Sequence, residues 1–162
     1  MENKELLRKR VDELASKVNG EVEEILGMLV LKVKGPYALE ALTTAKSFTD
    51  IPCDFLHDLT AVDKIDHFEV VYQLTSWKGP QKLRIKAVVD RENPVIDSAT
   101  RLWQGANYME REAYDMFGIQ FKGHPNLKRI YLWDDFEGYP LRKDYVTETA
   151  EQRSVVFKLP AE

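Results

Sequence analysis

One cysteine, Cys53, stands in 162 residues. A lone thiol closes no internal disulfide and cannot by itself hold an iron–sulfur cluster, and a reducing, cytoplasmic setting is the natural expectation. Histidines are also scarce. His57, His67 and His124 lie far apart, without the paired spacing that presents two ligands to zinc. Gly118 and Gly123 have the spacing of a phosphate loop, but His124-Pro125 occupies the place of its lysine and hydroxyl residue. Phosphate would meet no counter-charge there. No G-x-G-x-x-G occurs. No apolar run approaches the ~20 residues of a membrane span. The opening Met1-Glu2-Asn3-Lys4-Glu5 is too charged for a secretory signal. A basic excess is missing: 23 Lys and Arg against 27 Asp and Glu leave a net charge of −4. That disfavours nucleic acid and direct attraction to an anionic bilayer. Membrane contact is then expected only through another protein.

What remains is an ordinary soluble composition, 44% hydrophobic and 31% charged, in a length that suits one domain with a tail. Leu7, Val11, Leu14 and Val18 recur at the helical interval and predict a helix over 4–18. Strands are predicted over 22–25, 28–33, 55–62, 68–76 and 83–89, with a second helix over 37–48. Asp97 or Ser98 is expected to cap a short helix running through Trp103. Strands at short spacing imply an α+β fold, an antiparallel or mixed sheet with helices on one face. The globular domain is expected over 1–117, and an extended, proline-kinked tail over 118–162.

The densest information lies between Tyr108 and Tyr145. A helix there puts Met109, Ala113 and Met116 on one side and Arg111, Glu112 and Asp115 on the other, with Glu110 facing elsewhere. Arg111 stands four residues before Asp115, within ion-pair reach. Gly118 follows as a left-handed helix end. Two elbows, Gly-His-Pro at 123–125 and Gly-Tyr-Pro at 138–140, flank a strand candidate over 129–132. Paired charges recur in Lys128-Arg129 and Arg142-Lys143-Asp144. Arginine forks and carboxylates in such an array suit folding the tail back or docking a partner.

Other constellations have plainer readings. Asp58, Asp63 and Asp66 near His57 and His67 read as a solvated turn. Cys53 reads as a small buried apolar residue. The three tryptophans Trp77, Trp103 and Trp133 read as packing before partner anchors. Glu112 and Asp115 with His124 would make an acid–base group only if the histidine folded back onto the helix.

The series Glu110-Arg111-Glu112, Asp115-Met116-Phe117-Gly118-Ile119, Phe121, Gly123-His124-Pro125, Leu127, Arg129-Ile130, Asp134, Glu137-Gly138 and Pro140-Leu141-Arg142-Lys143-Asp144 resembles the C subunit of respiratory complex I, the proton-translocating NADH:quinone oxidoreductase. Tyr114 and Tyr139 depart conservatively from the family pattern. The resemblance implies a scaffold subunit of the peripheral arm, on the cytoplasmic side of a bacterial inner membrane. It implies no catalytic, metal or cofactor-binding residue in this chain. Flavin, iron–sulfur clusters and quinone are implied in partner subunits: a large quinone-pocket subunit and cluster-bearing neighbours. Glu110, Arg111, Glu112, Asp115, His124, Arg129, Arg142, Lys143 and Asp144 are the implied docking face. Related membrane-bound hydrogenases and oxidoreductases accepting ferredoxin or a deazaflavin carry a similar motif.

Overall fold

A computed structural model describes residues 2–77 and 79–146. At its centre is a mixed sheet of order β1-β2-β5-β4-β3. The strands are Glu21–Ile25 (β1), Met28–Lys34 (β2), Phe55–Asp63 (β3), His67–Thr75 (β4) and Lys82–Asp90 (β5). β2 and β5 run parallel, and the other neighbours run antiparallel.

Alternation decides which face is dry. Leu83, Ile85, Ala87 and Val89 of β5 are buried, while Arg84 and Lys86 between them keep contact with water. Register carries the pattern across the sheet, so Val33, Ala87, Val70 and Ala61 stand side by side on four strands. The helices close this face. α1 (Glu2–Val18) contributes Leu7, Val11, Leu14 and Val18, and α2 (Ala38–Lys46) contributes Ala41, Leu42 and Ala45. α3 (Ala106–Phe117) adds Ala106, Ala113 and Phe117 to the same core. The architecture is the expected α+β class, with a mixed sheet and a helical layer.

Four expectations change. The second helix is shorter than 37–48, because a 3-10 turn, Gly35–Tyr37, precedes α2. No helix runs from Asp97 to Trp103: Asp97 ends a short strand, and Ser98 uses its hydroxyl on Glu110 instead of on a helix start. Residues 129–132 are not a strand but a bend, because three of their amides converge on the side chain of Asp115. The globular unit also continues past Phe117. Strands β6 (Val95–Asp97) and β7 (Gln120–Lys122) pair in parallel, and Ile96, Ile119 and Phe121 are buried in the core. A parallel pair needs a crossover connection, and α3 supplies it. Gln120 N–H donates to Pro94 O at 2.7 Å and Ser98 N–H to Lys122 O at 2.9 Å, extending the pairing at both ends. Both ends of α3 are thereby fixed. The expected tail divides: residues 118–146 are described, and 147–162 lie outside the described residues.

Candidate functional site

Asp115, on α3, is fully buried. Its carboxylate is the centre of a four-donor cage. Arg129 Nη1 reaches Oδ1 at 2.8 Å, and the N–H groups of Ile130, Tyr131 and Leu132 reach Oδ2 at 3.0, 2.8 and 3.0 Å. Three successive amides turned on one oxygen cannot also form a strand ladder. Burial alone would raise this carboxyl's pKa. Arg129 and the three amides outweigh it and hold the group below the usual aspartate range. Arg129 also donates to Phe136 O and Gly138 O at 2.9 and 3.1 Å. Arg111 donates to Lys128 O and Arg129 O at 3.1 and 2.9 Å, in place of the helix pair expected with Asp115. The stripe read as a charged helix face is therefore the fastening of residues 128–138 to α3.

A second fastening lies at the helix end. Arg142 Nε donates to Phe117 O at 2.6 Å, and Leu141 N–H donates to Met116 O at 3.2 Å. The guanidinium groups of Arg142 and Arg91 lie over the Phe68 ring at 5.1 and 5.2 Å. Asp63, at the end of β3, binds Arg91 through Oδ1 and accepts the Lys143 N–H on Oδ2 at 2.9 Å. Burial pushes the Asp63 carboxyl up, but Arg91 and the amides of Lys143 and Ile65 prevail and bring it down to about 2. Arg91 bridges onward to Asp144 at 3.0 Å.

Residues 31–151 match the family described as respiratory-chain NADH dehydrogenase, 30 Kd subunit. The chain belongs to that family. The C subunit of the NADH-quinone oxidoreductase of Citrifermentans bemidjiense is 47% identical over 125 residues, 75% of this chain and 76% of its own. The corresponding NADH-quinone oxidoreductase subunit of Moorella thermoacetica is 44% identical over 131 residues, 80% of this chain and 87% of its own. Among solved structures, a trypsin-resistant fragment of Nqo5 aligns with a TM-score of 0.61 at 29% identity, covering 75% of this chain and 98% of that chain. A polypeptide of an archaeal membrane-bound sulfane sulfur reductase shares the fold, with a TM-score of 0.73 at 22% identity over 95% of this chain and 92% of its own.

In this 30 Kd-subunit family member the candidate residues divide by direction. Asp115, Arg111, Arg129 and Arg142 turn into their own fold. Glu112 and Lys143 are exposed, and Asp144 is largely so. His124 is half-buried and already engaged: Nε2–H donates to Asn107 O at 3.1 Å, and Nδ1 accepts the Asn126 N–H at 3.0 Å. With His124 and Asp115 both committed, the acid–base group considered from sequence does not assemble.

Glu110 is not the outlying charge the helical wheel indicates. It is fully buried on the flank of α3 opposite the loop that holds Asp115. Its Oε1 accepts the Ala99 N–H at 2.6 Å, and Oε2 lies 2.6 Å from Ser98 Oγ. Here burial wins, and the carboxyl is pushed up to about 7 from an ordinary 4.5. Between those values the folded chain binds more protons than the unfolded chain, so stability falls as pH rises through the window. The neutral isostere Glu110→Gln is expected to remove this slope. Urea midpoints measured at about pH 5 and about pH 8 check it, the wild type losing on the order of 3 kcal/mol more than the variant. Equal losses would reject the assignment.

Sequence reasoning misses Asp63, Arg91 and Phe68 as members of this site. A signal exists for Asp63: Leu59, Ala61 and Asp63 share the inward parity of β3. Of the three aspartates read as a solvated turn only Asp66 fits: Asp58 is exposed but stands within strand β3, and Asp63 is buried at its end. Cys53 is buried, and burial pushes its thiol up to about 12, where it is an inert apolar residue.

Proposed function

We propose that this chain is a cofactor-free scaffold subunit of the peripheral arm of a bacterial NADH:quinone oxidoreductase. In this reading it holds a large quinone-pocket subunit and cluster-bearing subunits in place on the cytoplasmic side of the inner membrane. Electrons pass from NADH through flavin and iron–sulfur clusters in those partners to quinone, coupled to proton translocation. Family membership supports the complex, and the direction of the charges supports the role within it. Arg111, Asp115, Arg129 and Arg142 of the signature are spent on folding residues 118–146 back over α3. Apolar side chains are left outside: Tyr131, Trp133 and Leu141 are all exposed. Trp133 is propped edge-on against Phe136 with ring centroids 5.0 Å apart, which presents it as a rigid anchor. Among the described residues no helix is long and apolar enough to cross a membrane.

The reading is tested by tagging the chain in cells and identifying what co-purifies. A large quinone-pocket subunit and iron–sulfur subunits are the expected partners, and the isolated chain is expected to show no NADH oxidation and no visible absorbance. Capture of a hydrogenase-type large subunit, or turnover of NADH by the chain alone, would overturn it.

A further inference from the structure

A carboxyl and two hydroxyls stand in file where β6 meets α3. Glu110 Oε2 lies 2.6 Å from Ser98 Oγ, which lies 2.7 Å from Thr100 Oγ1. Glu110 and Ser98 are 0% and 1% exposed, while Thr100 is half-buried and is the member of the file in contact with water. Ser98 Oγ also accepts the Thr100 N–H at 3.1 Å, and Ala99 N–H donates to Glu110 Oε1 at 2.6 Å.

A hydroxyl has one proton to give and two lone pairs to fill. Ser98 meets that count in two different ways. With Glu110 neutral, the carboxyl O–H donates to Ser98 and Ser98 donates to Thr100. With Glu110 ionised, Ser98 donates to the carboxylate and accepts from the Thr100 hydroxyl. In both states Ser98 gives one hydrogen bond and receives two, one of them from Thr100 N–H. Buried polar groups are expensive when left unmet, and neither state leaves a member of this file unmet. What separates the two states is the burial of charge, which pushes the Glu110 carboxyl up to about 7. Ser98 and Ala99 oppose that rise through their hydrogen bonds. The titratable neighbours are otherwise occupied or turned to water. Tyr72 of β4 is fully buried, and burial followed by the charges of Glu110 and Asp97 raises its pKa and keeps the phenol neutral. Asp97 of β6 is half-buried, and Asp63 of β3 is bound to Arg91. His57, Asp58, Arg101 and Lys122 are exposed.

We propose that Ser98 and Thr100 form a reversible proton relay through which the buried Glu110 carboxyl ionises and reprotonates within the native fold, making the junction of β6 and α3 a pH-responsive joint. On deprotonation Glu110 Oε2 passes its proton to Ser98 Oγ, Ser98 passes its own to Thr100 Oγ1, and Thr100 releases one to water. One proton leaves, and the charge on Glu110 is the only net change. The hydroxyl file reverses direction without a change of partners.

The test uses the full chain and follows the infrared C=O stretch of the neutral Glu110 carboxyl, assigned as the band that Glu110→Gln removes. Thr100→Val takes away the acceptor that the neutral form needs, so the midpoint of the band's pH titration falls. Ser98→Ala takes away the donor that the ionised form needs, so the midpoint rises. Each shift is expected to be about one pH unit, a roughly 10-fold change in the ionisation constant. Thr100→Val also slows loss of the band after an upward pH jump by at least ~10-fold, toward the rate of local opening of the fold. Thr100→Ser restores the hydroxyl and keeps both the wild-type midpoint and the wild-type rate. Midpoints that fall in both variants would mean that admitted water serves the carboxyl. Midpoints that stay put would mean that the hydroxyls take no part. Either result overturns the proposal, as does an unchanged rate in Thr100→Val.

Discussion

Asp115→Ala is expected to lower the unfolding temperature of the isolated chain by roughly 10 °C, because stripping one partner from a buried ion pair costs about 3–5 kcal/mol. Arg129 is left without its carboxylate, and the amides of Ile130, Tyr131 and Leu132 lose their common acceptor. Each unmet buried donor carries its own desolvation penalty. Asp115→Asn does not rescue, since one head of the amide is a donor and meets donors. Arg129→Ala is expected to cost less, because Asp115 then keeps three amides. The native carboxyl is depressed, so its contribution is full above the ordinary aspartate range and fades on acidification below it. Limited proteolysis gives the second readout: cleavage within residues 126–146 should quicken in Asp115→Ala before the sheet unfolds. A loss of under about 2 °C, with cleavage unchanged, would show that the cage does not hold the segment.

The ordering of these effects shows which parts of the molecule could be read from sequence. Strand β5 was legible because one buried face imposes a two-residue alternation, as in Leu83, Ile85 and Ala87, whereas β2 and β4 bury consecutive residues and were legible from their β-branched and bulky side chains. Helix α1 was legible because Leu7, Val11, Leu14 and Val18 keep a single stripe. Helix α3 broke the rule. It buries an apolar stripe with Ala106 and Ala113, and also a carboxylate on each flank, Glu110 and Asp115. A helical wheel assigns such carboxylates to water. Their partners lie elsewhere along the chain, at residues 98–99 and 129–132, and no local period marks them. Strands β6 and β7 were invisible for a related reason: three residues are too few to establish alternation, and their pairing depends on α3 returning the chain to the same place. The motif resemblance cast Glu110, Arg111, Glu112, Asp115, His124, Arg129, Arg142, Lys143 and Asp144 as a docking face. The geometry gives Arg111, Asp115, Arg129 and Arg142 a task within the fold, holding a segment whose outer side carries the aromatics.

Gly118→Ala is the other large effect expected, a loss of about 2–4 kcal/mol from two separable causes. The first is backbone: Gly118 ends α3 with φ 77, where its N–H donates to Tyr114 O at 2.8 Å. A residue with a Cβ is strained in that conformation whatever surrounds it. The second is contact. A Cβ at this position would stand 2.6 Å from the Tyr139 ring and 2.8 Å from Arg142 Nη2. Relieving that overlap moves Tyr139 off the Arg142 guanidinium, now 4.6 Å from the ring centroid, and pulls Arg142 Nε from Phe117 O. The causes separate in a Tyr139→Ala background, where the overlap with the ring is gone and only the backbone strain and the lesser Arg142 contact remain. There Gly118→Ala should cost roughly 1–2 kcal/mol, so the double-mutant cycle should show a coupling of at least about 1 kcal/mol. Strict additivity would mean that the second elbow does not press on the end of α3. The helix terminus and the C-terminal segment would then be independent, and the fastening at Arg142 would lose its structural basis.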